Sequence, residues 1–208
     1  MKNRCLVAPS IVIALTATLA ACGSDDSPAA ETASVVSTET APLGSTAGSA
    51  AASELNAADV EFAQGMIAHH EQAIEMAEIA LDPNVGASPQ VVDLATRIKG
   101  AQDPEVELMT GWLTAAGKPV VMDTSEGHEM STMDGMMTAE QMDAMAAMIG
   151  TEFDEMWLEM MIAHHEGAIS QSETVKTEGS NPDVLALADQ IITAQQAEIT
   201  EMQALLQG

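Results

Sequence analysis

The feature that most constrains the fold of this 208-residue chain is an internal duplication. The hexapeptide MIAHHE occupies positions 66–71 and returns unchanged at positions 161–166. A second match, shifted by 93 positions, pairs Gln102, Glu105 and Met109 with Gln195, Glu198 and Met202. Because an internal repeat corresponds to a structural unit, the chain is predicted to contain two similar halves, each a helix, a loop and a helix.

Local signals mark the ends of four long helices. Asn56 with Asp59 three positions later is typical of a capped helix start, and Pro83 marks where the first helix ends. Ser88–Pro89 and Asn181–Pro182 are matching start signals for the second and fourth helices. Short connections within each half predict antiparallel neighbours. The expected fold is all-α, a ferritin-like antiparallel four-helix bundle built from two duplicated helical hairpins.

The predicted bundle domain covers residues 55–208. Its parts are the halves 55–117 and 151–207 and a methionine-rich connection, residues 118–150. A capping box that begins at Thr138 predicts a short extra helix in this connection, running to about Ile149.

The composition supports a helical core and excludes several functions. The only aromatic residues are two Phe and two Trp, so the residue alternation that an all-β sandwich needs is missing. The 32 acidic and 6 basic side chains give a net charge of −26, which argues against a nucleic-acid partner. The sequence has no G-x-S-x-G motif and no Gly-rich phosphate loop, so hydrolase chemistry has little support.

The N-terminal segment is predicted to be a targeting signal rather than part of the folded domain. Residues 1–21 combine a basic start with an apolar stretch, which is the pattern of a secretory signal. Leu19-Ala20-Ala21-Cys22 resembles the lipobox of bacterial lipoproteins, in which the cysteine is lipidated; the alternative is an ordinary signal peptide that contains a cysteine. Residues 22–54, rich in Ser, Thr and Ala, are a predicted disordered tether. The protein is therefore expected outside the cytoplasm, at the cell surface or in the periplasm, anchored to the membrane by lipid.

The repeated hexapeptide places both of its histidines on the buried face of the first helix. With Met66 at the centre of that face, His70 lies about 40° to one side and His69 about 60° to the other. The third long helix repeats this arrangement with Met161, His164 and His165.

The second and fourth helices bring polar groups to the same level. Gln102 and Glu105 occupy core positions of the second helix, and Met109 follows one turn later. The fourth helix repeats this with Gln195, Glu198 and Met202. The middles of antiparallel helices meet, so these groups and the histidines are predicted to form one central layer. Buried carboxylates need partners, and imidazole is the commonest protein metal ligand, which favours metal ligation over a metal-free hydrogen-bond network. Some histidines are then expected to orient the ligands.

Methionine is concentrated in the connection between the halves. Of the 16 methionines, 11 lie between Met122 and Met161. Thioether sulfur is a soft neutral donor suited to Cu(I), which favours metal capture in the connection. The alternatives are flexible core filler and a patch for a partner protein. The candidate ligands of this segment are His128, Met130, Met133, Met136 and Met137.

These doubled motifs resemble a known family, the secreted proteins of the "domain of unknown function" family numbered 305. The resemblance covers about positions 55–206 and is carried by Met66-Ile-Ala-His-His, by its repeat from Met161, and by Gln102-x-x-Glu105. It implies a ferritin-like four-helix bundle, and the better-understood members are CopM-like periplasmic copper-binding proteins. The ligand positions that it implies are His69, His70, Met66, His164, His165 and Met161. The chain departs from the family pattern in two places: Met76-Ala77 corresponds to Gln171-Ser172 in the second half, and the fourth helix ends with Leu205-Leu206 in place of Trp-Leu.

The leading hypothesis is a lipid-anchored extracytoplasmic protein that binds copper, as Cu(I), Cu(II) or both, for sequestration or for delivery to a copper exporter or chaperone. No catalysed reaction is expected. One alternative is a ferritin-like dimetal oxidase, although the Glu-x-x-His motif of such bundles is absent. The other is a methionine-rich interaction module without metal.

Overall fold

The computed structural model describes residues 54–122 and 133–208. Its helices are α1 (Ala57–Leu81), α2 (Pro89–Ala115), α3 (Ala139–Ala146), α4 (Thr151–Glu178) and α5 (Pro182–Leu206). The all-α prediction is confirmed, because every regular element of these residues is a helix and the four long ones form the hairpins α1–α2 and α4–α5. None of the described helices has the length and apolar character needed to cross a bilayer. The predicted signal, Cys22 and nearly all of the tether lie outside the described residues.

The helix ends follow the sequence signals closely. Asn56 and Asp59 form a reciprocal capping box at α1, and Ser88 and Asn181 cap α2 and α5 with proline in the first turn. The extra helix also begins with the expected capping box, at Thr138. It ends at Ala146, three residues earlier than predicted, because the chain must turn through Gly150 (φ 60°) before α4 begins.

Helices α1 and α4 form the packed contact between the hairpins and run antiparallel. Two aspartates at matching positions of the repeat fasten the ends of this pair. Asp59, in the first turn of α1, accepts hydrogen bonds from the main-chain N–H groups of Ser180 and Asn181, which precede α5. Asp154, in the first turn of α4, accepts from the main-chain N–H of Ser88, which precedes α2. Each half therefore holds the hairpin turn of the other half.

The buried apolar side chains form two clusters, one toward each end of the bundle. One cluster takes the first half of α1 and the second half of α4, including Phe62 and Val175. The other takes the opposite halves of these helices together with α3, including Ala77 and Phe153. The level between them is left to the histidines and their polar neighbours.

Candidate metal centre

All four histidines of the repeated hexapeptides are fully buried at the middle of the bundle. Each of His69, His70, His164 and His165 has an exposed fraction of 0%. The rings of His69 and His164 face each other across the α1–α4 contact, with centroids 3.8 Å apart and planes inclined by 47°. The repeat explains this meeting, since the two residues are equivalent positions on antiparallel helices.

The other histidine of each pair is bound to a carboxylate of its own hairpin. His70 Nε2 lies 2.7 Å from Glu105 Oε2, and His165 Nε2 lies 2.7 Å from Glu198 Oε2. The two glutamates were predicted to be buried, and here the prediction is only partly right. The glutamate side chains are 22% and 15% exposed, so their carboxylates stand at the edge of the layer and keep contact with water.

Several buried polar atoms of this layer have no hydrogen-bond partner among the described residues. The Nδ1 atoms of all four histidines belong to this group, as does Nε2 of His164. The Oε1 atoms of Gln102 and Gln195, from equivalent positions of α2 and α5, belong to it as well. Buried polar atoms are normally hydrogen-bonded. A group of nitrogen and oxygen atoms without partners at one level therefore indicates a binding site.

Burial keeps the facing imidazoles neutral. Desolvation, followed by the nearby charge of His70, lowers the pKa of His69 from 6.5 to about 3. Desolvation and then His69 hold the pKa of His164 well below its ordinary value. A neutral imidazole keeps a lone pair that can bind a metal, so no proton has to be released from these two rings on binding.

Four buried methionines flank the histidine layer in pairs. Met66 and Met109 belong to one apolar cluster, and Met161 and Met202 belong to the other. All four are 0% exposed. The sequence placed them in the histidine layer itself; the structure instead puts one pair on either side of it, with Met66 and Met161 one helical turn from the histidines.

Among the described residues, no three His, Cys, Asp or Glu side chains are arranged to hold a metal ion together. The groups that do converge are paired imidazoles with thioethers nearby, a donor set for a soft ion of low coordination number.

The connection between the hairpins reaches the histidine layer through its main chain. The Asp134 carbonyl oxygen lies 3.4 Å from His69 Nε2. Gly135 (φ 81°) and Gly167 allow this approach, because a Cβ on Gly167 would lie 2.0 Å from that same carbonyl oxygen. Gln72 holds the next turn, donating to the Met137 carbonyl oxygen and accepting from the Met137 N–H. Sequence reasoning did not single out these three residues, although two glycines and a glutamine beside the motifs were visible.

The predicted ligands of the connection have different surroundings. Met133 is partly exposed and lines a pocket between α1 and α4, and Met136 is also partly exposed. Met137 is 8% exposed and packs in an apolar cluster with Met142 and Met145, so its surroundings fit the core-filler alternative. His128 and Met130 lie outside the described residues, so their part in a site stays a prediction.

A helical bundle with a buried layer of imidazoles is thus the class of protein that the fold and the site define. The sequence model of the domain of unknown function DUF305 matches residues 59–206, and the chain belongs to this family. No curated protein matches the sequence significantly.

Three solved structures illustrate the similarity. A DUF305 protein from Streptomyces coelicolor is 29% identical, with 72% of this chain and 90% of that chain covered and a TM-score of 0.65. A DUF305 fragment from Deinococcus radiodurans is 27% identical, with 74% and 97% covered and a TM-score of 0.65. CopM in its Cu(II)-bound form is 33% identical, with 72% and 95% covered and a TM-score of 0.60. CopM also has Cu(I)-bound and silver-bound structures.

Proposed function

We propose that this protein binds copper, chiefly as Cu(I), through the paired histidines at the centre of the bundle. The observation that carries the proposal is the set of four buried imidazoles whose Nδ1 atoms have no partner within residues 54–122 and 133–208; two of these rings have centroids 3.8 Å apart. A low-coordinate ion bound at the ring edges, where the nitrogen lone pairs point, would give these nitrogens the partner they lack. The unpartnered Oε1 atoms of Gln102 and Gln195 are further donors at the same level.

The chemistry of the layer favours copper over harder cations. Mg²⁺ and Ca²⁺ require several oxygen ligands, and here the carboxylates of Glu105 and Glu198 are already engaged by histidines. Imidazole and thioether groups are the donors that soft and borderline metals prefer. The likeness to CopM, whose structures contain Cu(II), Cu(I) and silver, supports the same choice.

The proposed role is binding rather than catalysis. A dimetal oxidase needs bridging carboxylates, and the described residues bring no group of three His, Cys, Asp or Glu side chains together for a metal. Cu(I) held out of water by two apolar clusters is protected from oxidation, which suits sequestration and delivery.

The proposed setting is outside the cytoplasm. The signal pattern and the lipobox around Cys22 support a lipid-anchored form, and the tether would hold the bundle away from the membrane. The acidic surface would raise the local concentration of cations. A copper exporter or chaperone is the proposed recipient of the ion.

The test is a metal titration with a matched variant pair. Cu(I), Cu(II), Zn(II) and Fe(II) are added separately to the purified protein, and bound equivalents are counted against a competing chelator. H69Q/H164Q removes the facing rings and leaves both His–Glu pairs in place. E71Q/E166Q changes exposed residues of the same two hexapeptides and serves as the control.

Tight Cu(I) binding that is weakened in H69Q/H164Q and retained in E71Q/E166Q supports the proposal. Equal Cu(I) affinity of the two variants, or a preference for Fe(II) with oxygen consumption, would contradict it.

A further inference from the structure

The two halves of the repeat differ where α1 and α4 face each other beyond the histidines. Position 65 of α1 is glycine, and its equivalent in α4 is Met160; position 171 of α4 is glutamine, and its equivalent in α1 is Met76. Met76 and Met160 are both buried in the same apolar cluster. Two methionines therefore fill one end of the α1–α4 contact. At the other end the equivalent positions are Gly65 and Gln171.

A partly open pocket of about 340 Å³ lies at the end that lost its methionines. Its walls are the first half of α1 and the second half of α4, and Glu61 and Glu178 contribute carboxylates to its lining. Met122 and Met133, the connection residues on either side of the undescribed positions 123–132, complete the lining. Two methionines of the connection thus stand where the helices have none. Both are partly exposed, whereas Met76 and Met160 are buried.

Three donor groups converge on Gly65 in this pocket. A Cβ on Gly65 would lie 3.2 Å from Gln171 Oε1, 3.5 Å from Met122 Cε and 3.7 Å from Met133 Sδ. The Nε2 atom of Gln171 is buried and has no hydrogen-bond partner among the described residues. Two thioethers, which are soft donors, and a neutral amide oxygen lie beside a glycine that leaves room for an ion.

The pocket adjoins the histidine layer through Asp134. Asp134 follows Met133, also lines the pocket, and places its carbonyl oxygen 3.4 Å from His69 Nε2. Gly65 itself is one helical turn before His69, so the pocket and the facing rings follow each other along the contact between α1 and α4.

We propose that Met122, Met133 and Gln171 form a capture site for a monovalent soft cation, Cu(I) or Ag(I), at the mouth of the path to His69 and His164. Met122 had not been assigned to any site by sequence reasoning. The ion exchanges thioether and amide ligands for imidazole ligands as it moves inward, with no change of charge or oxidation state. The direction of transfer rests on the proposed function, whereas binding at the pocket does not.

The test uses Ag(I), added as nitrate, as a redox-inert probe of the whole protein labelled with ¹³C at the methionine methyl groups and with ¹⁵N at histidine. M122L/M133L removes the two thioethers with little change in side-chain volume. M148L/M156L removes two other partly buried methionines, which pack against an apolar cluster, and is the matched control. Circular dichroism confirms that each variant is folded.

The expected result is that the methyl signals of Met122 and Met133 move as Ag(I) is added. M122L/M133L should bind one Ag(I) fewer than M148L/M156L, while its histidine ¹⁵N signals still respond. If the histidine signals move and the two methyl signals do not, the capture site is overturned and the histidine site stands. If the two methyl signals move alone, the capture site stands and the histidine proposal fails. If neither set moves, both proposals fail.

Discussion

Two aspartates fasten the ends of the α1–α4 pair, and their hydrogen bonds allow the loss of stability on removing each side chain to be predicted. Asp59 is fully buried and accepts from the main-chain N–H groups of Asn56 (2.9 Å), Ser180 (3.1 Å) and Asn181 (3.1 Å). Asp154, its equivalent in the repeat, is partly exposed and, among the main-chain donors of the described residues, accepts from Ser88 alone (3.1 Å). Removing an acceptor from a buried donor costs about 1–3 kcal/mol. We therefore expect Asp59→Ala to lower the free energy of unfolding by about 2–4 kcal/mol and Asp154→Ala by about 1–2 kcal/mol.

The measurement is urea unfolding of the metal-free protein at pH 7, followed by far-ultraviolet circular dichroism, with each variant compared at equal m-value. Gly179→Ala approaches the same contact from the other side, since its Cβ would lie 2.6 Å from Asp59 Oδ1. It should destabilise the wild-type protein and cost less in the Asp59→Ala background, because its contact with Asp59 is then gone while those with the Val175 carbonyl oxygen (2.7 Å) and Cγ2 (2.9 Å) remain. An Asp154→Ala loss as large as the Asp59→Ala loss, or full additivity of the Asp59 and Gly179 changes, would refute this account of how the hairpins are joined.

Three further predictions concern the site and its surroundings. Burial lowers the pKa of His69 to about 3 and also lowers that of His164, so the unfolded chain takes up protons first on acidification. Stability should be intact above about pH 6.5 and fall below it by up to about 1.4 kcal/mol per pH unit for each ring, and the His69 contribution should level off at about pH 3. Urea midpoints between pH 7 and 5.5 should decline less steeply in H69Q/H164Q, and equal slopes would count against the assignment. Gly135→Ala should cost about 1–3 kcal/mol in thermal unfolding, because Gly135 has φ 81° and a Cβ would lie 2.7 Å from the Ala163 carbonyl oxygen. An unchanged melting temperature would mean that the connection is not pressed against α4 in solution. Trp157→Phe should lose about 1 kcal/mol beyond the change in apolar area, since the indole N–H donates to a main-chain oxygen of α1 at 2.9 Å; urea unfolding checks this.

The histidine layer shows why the partner of each imidazole could not be predicted from the sequence. The helical period placed His69 and His70 on the buried face, which is a local property of α1. Whether a given ring meets another ring or a carboxylate depends on how far α1 slides along α2 and α4. The structure selects His164 for His69 and Glu105 for His70. The sequence predicted that some histidines orient the ligands but did not say which, whereas the structure divides the four into a facing pair and two carboxylate-bound rings.

The methionine-rich connection shows the same limit more strongly. Spacing alone does not distinguish Met133, which lines an open pocket, from Met137, which is held in the core by the Gln72 clamp on its main chain. The exchange of Met160 for Gly65 was visible in the repeat, but its consequence was not, because the space it leaves is filled from a part of the chain far away in sequence.

The amino-acid sequence determined the helices, their ends and the faces they bury, because caps, proline positions and the 3.6-residue period act within a few residues of one another. The duplication also determined that equivalent polar side chains of the two halves would meet in one central layer. Only the tertiary structure decided which imidazoles face each other, where the thioethers lie relative to them, and how the two halves became unequal at Gly65 and Gln171. Those outcomes depend on contacts between residues up to about a hundred positions apart, and such contacts are set by the packing of whole helices rather than by any local pattern.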